Sequence, residues 1–261
     1  MTIGVYDSGV GGLSVWRELR SRVSGHLIYF GDTAHVPFGE KTPEQLSRYF
    51  ADSLAFFESR GCNSVVVACN TTSAAVLPRI RHLVKLPLID MIEGAKRAAA
   101  AARVKRLGVI ATKATVNSGV YQRALEESLP GSRVFMQAAP ELVPLVEAGE
   151  ITGPRVKRAL EKYLEPLMAE EIDGLLLGCT HYPFLEEPLT ELLAGRAVLI
   201  DPALAVTRLA LEAWPQVQGS GATTEFWVSS DPEKFEAAAK LILKEELPPV
   251  NLRRPPEEDI R

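Results

Sequence analysis

Two stretches of the chain repeat one plan, and no other feature restricts the fold as tightly. Leu175-Leu176-Leu177-Gly178-Cys179-Thr180-His181-Tyr182-Pro183 and Val65-Val66-Val67-Ala68-Cys69-Asn70-Thr71-Thr72 each run from three branched apolar residues through one small residue to a cysteine, then into short polar side chains. Such apolar runs suit parallel strands buried on both faces. Each cysteine then stands at a strand's carboxyl end, the edge at which ligands bind in open α/β sheets. The Asn and Thr residues that follow suit a helix start, whose free N–H groups attract anions and favour a thiolate. An unpaired cysteine commonly serves as a small core hydrophobe. Cys62, in Arg60-Gly61-Cys62-Asn63 and without an apolar run before it, keeps that role. A core cysteine has no need of hydroxyl and amide neighbours, yet here they follow twice. The repetition predicts a pocket with a thiol on either wall.

The rest of the chain supplies sheets for these strands. Short apolar segments at 3–6, 27–30 and 88–89 join the Val65 run, and segments at 107–110, 134–137 and 198–200 join the Leu175 run. Helical patterns lie between them at about 13–22, 43–60, from 73 onward, 93–103, 116–129, 141–148, 153–169 and 185–193. The 43–60 helix opens with Thr42 as cap, Pro43 at its first position and Gln45 three residues after the cap. Strand and helix alternation indicates an α/β fold with parallel sheets and right-handed crossovers. A late strand at 223–228 and a late helix at 231–243, with Asp231 as cap, follow a return toward the first half near Val206.

A glycine-rich turn, Asp7-Ser8-Gly9-Val10-Gly11-Gly12, follows the first strand, and Asp32 ends the second. That is the outline of a dinucleotide-binding fold. Two residues argue against it. Ser14 occupies the third fingerprint position, and Asp7 stands where a pyrophosphate must approach. Like charges a few ångströms apart repel by roughly several kcal/mol at reduced dielectric. An acid there suits a substrate ammonium better.

Composition removes other classes. At 261 residues, 46% hydrophobic and 24% charged, the chain has a globular make-up that fits one large domain or two lobes. Net charge is −4, so no nucleic-acid or anionic-membrane partner is expected. No apolar stretch reaches the ~20 residues of a membrane span, and Met1 leads straight into Thr2-Ile3-Gly4-Val5-Tyr6, which points to the cytoplasm. Three cysteines without Cys-x-x-Cys spacing support neither a disulfide framework nor a zinc site, so no metal is expected. His26 and His82 read as surface residues.

Six ordered stretches resemble the cofactor-independent glutamate racemases of the two-cysteine aspartate/glutamate racemase family. They are Gly4-Val5-Tyr6-Asp7-Ser8-Gly9-Val10-Gly11-Gly12-Leu13, Phe30-Gly31-Asp32-Thr33-Ala34-His35-Val36-Pro37-Phe38-Gly39, Ala68-Cys69-Asn70-Thr71, Leu142-Val143-Pro144-Leu145-Val146-Glu147, Leu177-Gly178-Cys179-Thr180-His181-Tyr182-Pro183 and Asp201-Pro202-Ala203. The resemblance implies two similar α/β lobes, each with a mostly parallel sheet flanked by helices, and an active site in the cleft between them. The first lobe is expected to comprise 1–94 and 207–247, the second 95–206, with 248–261 as a loose tail that has little to bury. It further implies Cys69 and Cys179 as paired acid and base, Asp7 assisting the first, and Glu147 with His181 assisting the second. By the same resemblance Asn70, Thr71 and Thr180 hold the α-carboxylate and amino groups of glutamate, Ser8 and the Phe38-Gly39 turn receive its side-chain carboxylate, and Thr115 joins them. No cofactor is implied, a homodimer is the expected assembly, and the product would supply peptidoglycan synthesis. Three residues depart from the family pattern: Phe38 stands for a usual tyrosine, Thr72 for an alanine and Ala111 for a glycine.

The chemistry explains why two thiols are needed. Racemisation removes the α-proton from one face of a carbon and returns one to the other face, so two acid/base groups must flank it. A thiol with an ordinary pKa near 8.5 reaches both protonation states close to neutrality. An aspartate racemase shares the two cysteines but usually has glutamate where His181 stands. A binding module without chemistry is the alternative from another class, and its ligand affinity would survive loss of either thiol.

Overall fold

In the computed structural model, which describes residues 1–256, the strand and helix alternation forms two sheets. The strands are β1 (Thr2–Asp7), β2 (His26–Gly31), β3 (Ser64–Val67), β4 (Leu88–Asp90), β5 (Arg106–Ala111), β6 (Arg133–Ala138), β7 (Gly174–Gly178), β8 (Val198–Ile200), β9 (Thr223–Val228) and β10 (Val250–Leu252). The first sheet has the order β10-β9-β2-β1-β3-β4 and the second β6-β5-β7-β8. Every pairing between these strands is parallel.

The two cysteine motifs produce the most buried strands. All residues of β3 and β7 are buried, as the uninterrupted apolar runs require of strands covered by helices on both faces. Pairing then places the motif ends side by side. Tyr6 of β1 is in register with Val67 of β3, so Asp7 and Cys69 leave one sheet edge together. Ala111 of β5 is opposite Gly178 of β7, which brings Thr112 beside Cys179. One apolar core runs through the junction of the two sheets, joining Val10, Leu13 and Val66 to Leu142, Val146, Leu177 and Tyr182.

Local signals were obeyed where the backbone could satisfy itself nearby. Thr42 and Gln45 form the expected capping box on the helix Pro43–Ser59. Elsewhere the packed structure differs. The single helix expected at 116–129 is two, Lys113–Ser118 and Val120–Ser128, separated by Gly119 at φ 64°. Glycine adopts that conformation without a Cβ clash and turns the chain between them. The helix expected from Ser73 begins earlier, as Asn70–Ala75, with Cys69 itself as cap. Asp231 has φ 45° and makes no side-chain cap bond.

The tail needs a correction. Residues 250–252 form β10, which pairs with β9, and Arg253 makes an ion pair with Asp52. The exposed edge of β9 offers unpaired backbone groups, and a short strand satisfies them although it buries little apolar surface. Residues 257–261, the end of the expected tail, lie outside the described residues. Among the described residues no helix is long and apolar enough to cross a membrane.

Candidate active site

The carboxyl edges of the sheets meet at a small, tightly closed pocket. Of the residues expected there, Ser8, Phe38, Gly39, Cys69, Asn70, Thr71, Cys179, Thr180 and His181 line it, and Thr112 and Val143 complete the wall. Asp7 and Glu147 do not line it but bond to residues that do, Thr180 and His181. Among the described residues no group of three or more His, Cys, Asp or Glu side chains is arranged to hold a metal ion.

Cys69 follows β3, and its Sγ accepts a hydrogen bond from Thr72 N–H at 3.5 Å. Burial, reinforced by the nearby Asp7 carboxylate, pushes the Cys69 thiol up to about 12, so it rests protonated. Asp7 is itself buried. Its Oδ2 accepts from Gly9 N–H and its Oδ1 from the Thr180 hydroxyl, each at 3.0 Å, which ties the first sheet edge to the second. Burial raises the Asp7 pKa, opposed by the His181 cation and the hydrogen bonds from Gly9, Gly12 and Thr180.

The opposite wall carries a row of three groups. Cys179 Sγ lies 3.6 Å from His181 Nδ1, and His181 Nε2 donates to Glu147 Oε1 at 2.6 Å. The same Glu147 oxygen accepts from Val10 N–H at 3.1 Å. Burial works against an imidazolium at His181, but the hydrogen bonds and charges of Cys179 and Glu147 outweigh it and hold the pKa well above the usual value. Burial likewise pushes Glu147 up, and its bonds to His181 and Val10 overcome this, so its pKa is lowered. The histidine is therefore held as a cation between Cys179 Sγ and the Glu147 carboxylate.

The glycine-rich turn has its reason here. A Cβ at Gly9 would strike the Glu147 carboxylate, and one at Gly11 the His181 ring and the Thr180 hydroxyl. These glycines make room for side chains from the other sheet, which removes the phosphate-cradle alternative.

Asn70 Oδ1 accepts from the Tyr121 hydroxyl at 2.7 Å, while its Nδ2 is buried without a partner. The hydroxyls of Thr71, Thr112 and Thr115 form a triangle with sides of 2.9, 3.0 and 3.4 Å. Thr115, expected to touch substrate, does not line the pocket; Thr112 stands in front of it. Thr112 and Tyr121 are the residues that motif reasoning missed, and Val143 stood within a motif that gave it no role. One signal for Thr112 was present, since it ends a further apolar strand and precedes Thr115 at capping spacing, accepting from the Thr115 N–H.

A parallel sheet on either side of one polar pocket, each delivering a cysteine to it, is the architecture of an α/β amino-acid racemase. Residues 9–210 match the Asp/Glu/Hydantoin racemase family. The chain belongs to this family, among its glutamate racemases. A glutamate racemase of Desulforudis audaxviator is 43% identical over 262 residues, covering 95% of this chain and 96% of that protein. A Thermus thermophilus glutamate racemase, solved in complex with beta-chloro-D-alanine, is 37% identical with a TM-score of 0.84, covering 99% of this chain and 98% of that one. The Francisella tularensis enzyme in complex with D-glutamate is 29% identical with a TM-score of 0.88, covering 97% of each chain.

Proposed function

We propose that this chain interconverts L-glutamate and D-glutamate by proton transfer between two thiols, without a cofactor, and that the D-glutamate serves peptidoglycan synthesis. The observation that carries the reading is the presence of Cys69 and Cys179 on one pocket, from opposite sheets and in unlike surroundings. Cys69 rests as a thiol, whereas Cys179 faces the His181 cation. The two walls of the pocket are therefore electrostatically unlike. In this state Cys179 takes the α-proton of L-glutamate and Cys69 delivers a proton to the other face; the D-to-L direction reverses the roles.

The α-carbanion forms beside a carboxylate that is already negative, so donors must be in place. Asn70 Nδ2 is buried with no protein partner, and Thr71 and Thr180 line the same pocket. Preorganised donors of this kind are worth about 3–4 kcal/mol each in comparable sites. Asp7, bonded to Thr180, receives the substrate ammonium, while Ser8 and the Phe38-Gly39 turn take the side-chain carboxylate. Phe38 lacks a phenolic hydroxyl, so the turn contributes backbone N–H groups. The first lobe is assigned 1–94 with 207–247, extended by β10 at 250–252, and the second 95–206. By family likeness the assembly is a homodimer.

Circular dichroism of L-glutamate incubated with the purified protein, without added cofactor, should decay to zero. In deuterated water the product should carry α-deuterium from its first appearance while remaining substrate stays almost unlabelled. Equal early labelling of both enantiomers would show a single base serving both faces and would reject the paired-thiol reading.

A further inference from the structure

Two buried hydroxyls close to Cys69 in the fold, neither lining the pocket, go unused by the proposed reaction. Tyr6, in β1, is fully buried with its ring 4.8 Å from that of Phe50. Its carbonyl accepts from Ala68 N–H at 2.8 Å, so the pairing of β1 with β3 continues to the residue before Cys69. Thr72, also fully buried, lies in the first turn of the helix that Cys69 caps. The Tyr6 and Thr72 hydroxyls are each enclosed without a well-formed hydrogen bond. Native proteins rarely leave buried hydroxyls so, because the desolvation is uncompensated.

Their position offers a missing partner. Thr72 N–H donates to Cys69 Sγ at 3.5 Å, and Tyr6 and Cys69 belong to one buried cluster. The Thr72 side chain thus rises from the helix turn that carries the thiol, and the phenol and the thiol both respond to its hydroxyl. A protonated thiol is a weak acceptor and leaves both hydroxyls underused, whereas a thiolate accepts strongly. We propose that Thr72, backed by Tyr6, is a positioning residue for Cys69: its hydroxyl donates to the thiolate whenever Cys69 is the base, and the Tyr6 hydroxyl donates to Thr72 Oγ1 behind it. No covalent bond forms or breaks in this step; the two O–H groups only rotate as the thiol loses or regains its proton. The other groups facing this cluster oppose a thiolate. Asp7 and Cys179 both disfavour the charged form of Cys69, and Asp32 and Asp7 face Tyr6. Thr72, through its N–H and its hydroxyl, is the neighbour that favours it.

The inference rests on Cys69 being an acid/base group, but its test reads the thiol directly. In a Cys62→Ser/Cys179→Ser chain Cys69 is the sole thiol, and its alkylation by iodoacetamide at fixed pH, followed by mass spectrometry, reports the thiolate fraction. Thr72→Val keeps the shape and removes the hydroxyl. Losing one hydrogen bond to a charged group corresponds to about one pKa unit, hence roughly tenfold less thiolate. The remaining thiolate is more nucleophilic, so the net expectation is alkylation about 3- to 4-fold slower. Tyr6→Phe should slow it in the same direction by less, and Thr72→Ser should restore it. With the cysteines intact, Thr72→Val should lower kcat/KM about 3- to 10-fold on the same arithmetic. Alkylation rates unchanged in both Thr72→Val and Tyr6→Phe overturn the proposal, as does a Thr72→Ser chain no faster than Thr72→Val. Failure of the wild-type chain to racemise glutamate would leave these alkylation outcomes equally decisive, so the two readings fail separately.

Discussion

Replacing Glu147 by glutamine tests the ion pair on the Cys179 wall, because it keeps the shape of the acceptor and removes only its charge. The glutamine oxygen can still accept from His181 Nε2 and Val10 N–H, now 2.6 and 3.1 Å from Glu147 Oε1. A hydrogen bond to a charged group contributes about 1.5–3 kcal/mol and a neutral one about 0.5–1.5 kcal/mol, so the exchange costs about 1–1.5 kcal/mol. Solvent screening is slight, since the His181 and Glu147 side chains are 2% and 15% exposed. The sign of the pH dependence follows from the two shifts. His181 has a raised pKa in the folded chain, so its contribution is fully present below about 6.5 and is lost as pH rises through that raised value. Glu147 has a lowered pKa, so its contribution is present above about 4.3 and is lost as pH falls through the folded value. The pair thus stabilises most between the carboxylate range and the raised histidine pKa. At about 2–4 °C per kcal/mol, Glu147→Gln should lower Tm by roughly 3–5 °C near pH 6 and by progressively less on the alkaline side. Thermal melts followed by far-ultraviolet circular dichroism at about pH 6 and about pH 10, at one ionic strength, measure this. A loss that is the same at both pH values, or larger at the alkaline one, refutes the ion-pair reasoning.

Cys69→Ser and Cys179→Ser should each lower turnover by roughly 100- to 10,000-fold with the fold retained, because a serine hydroxyl is too weak an acid to serve; near-normal rates in either variant, by the circular dichroism assay, would contradict this. Gly11→Ala should drive a methyl group into His181 and Thr180. The expected result is a cost of about 1–3 kcal/mol in chemical denaturation together with a marked fall in kcat, and a variant indistinguishable from wild type in both would show that the sheets do not approach there as closely as the structure has it. Ending the chain after residue 249 removes the β10 pairing and the Arg253–Asp52 ion pair. Tm should then drop by roughly 2–6 °C, whereas an unchanged melt would return the tail to the loose state expected from its composition.

What the sequence determined by itself was local. Three branched apolar residues before each cysteine demand a strand with both faces covered, and the short polar residues after it suit a helix start, so β3, β7 and the placing of Cys69 and Cys179 at sheet edges were legible without any contact. The capping box at Thr42 was legible for the same reason, its partners lying three residues apart. Tertiary structure decided the remainder. The bonds that join the walls of the site link Thr180 to Asp7 across 173 positions and Val10 to Glu147 across 137. No periodicity encodes such pairs; they arise because parallel pairing lays β1 beside β3 and β5 beside β7, and burial of both apolar faces then presses the two carboxyl edges together. Thr112 entered the pocket wall, and Thr115 withdrew behind it, only through that pressing. The break at Gly119 and the strand at Val250–Leu252 have the same origin, since helix packing and an unpaired strand edge both act on the chain only after its neighbours are in place.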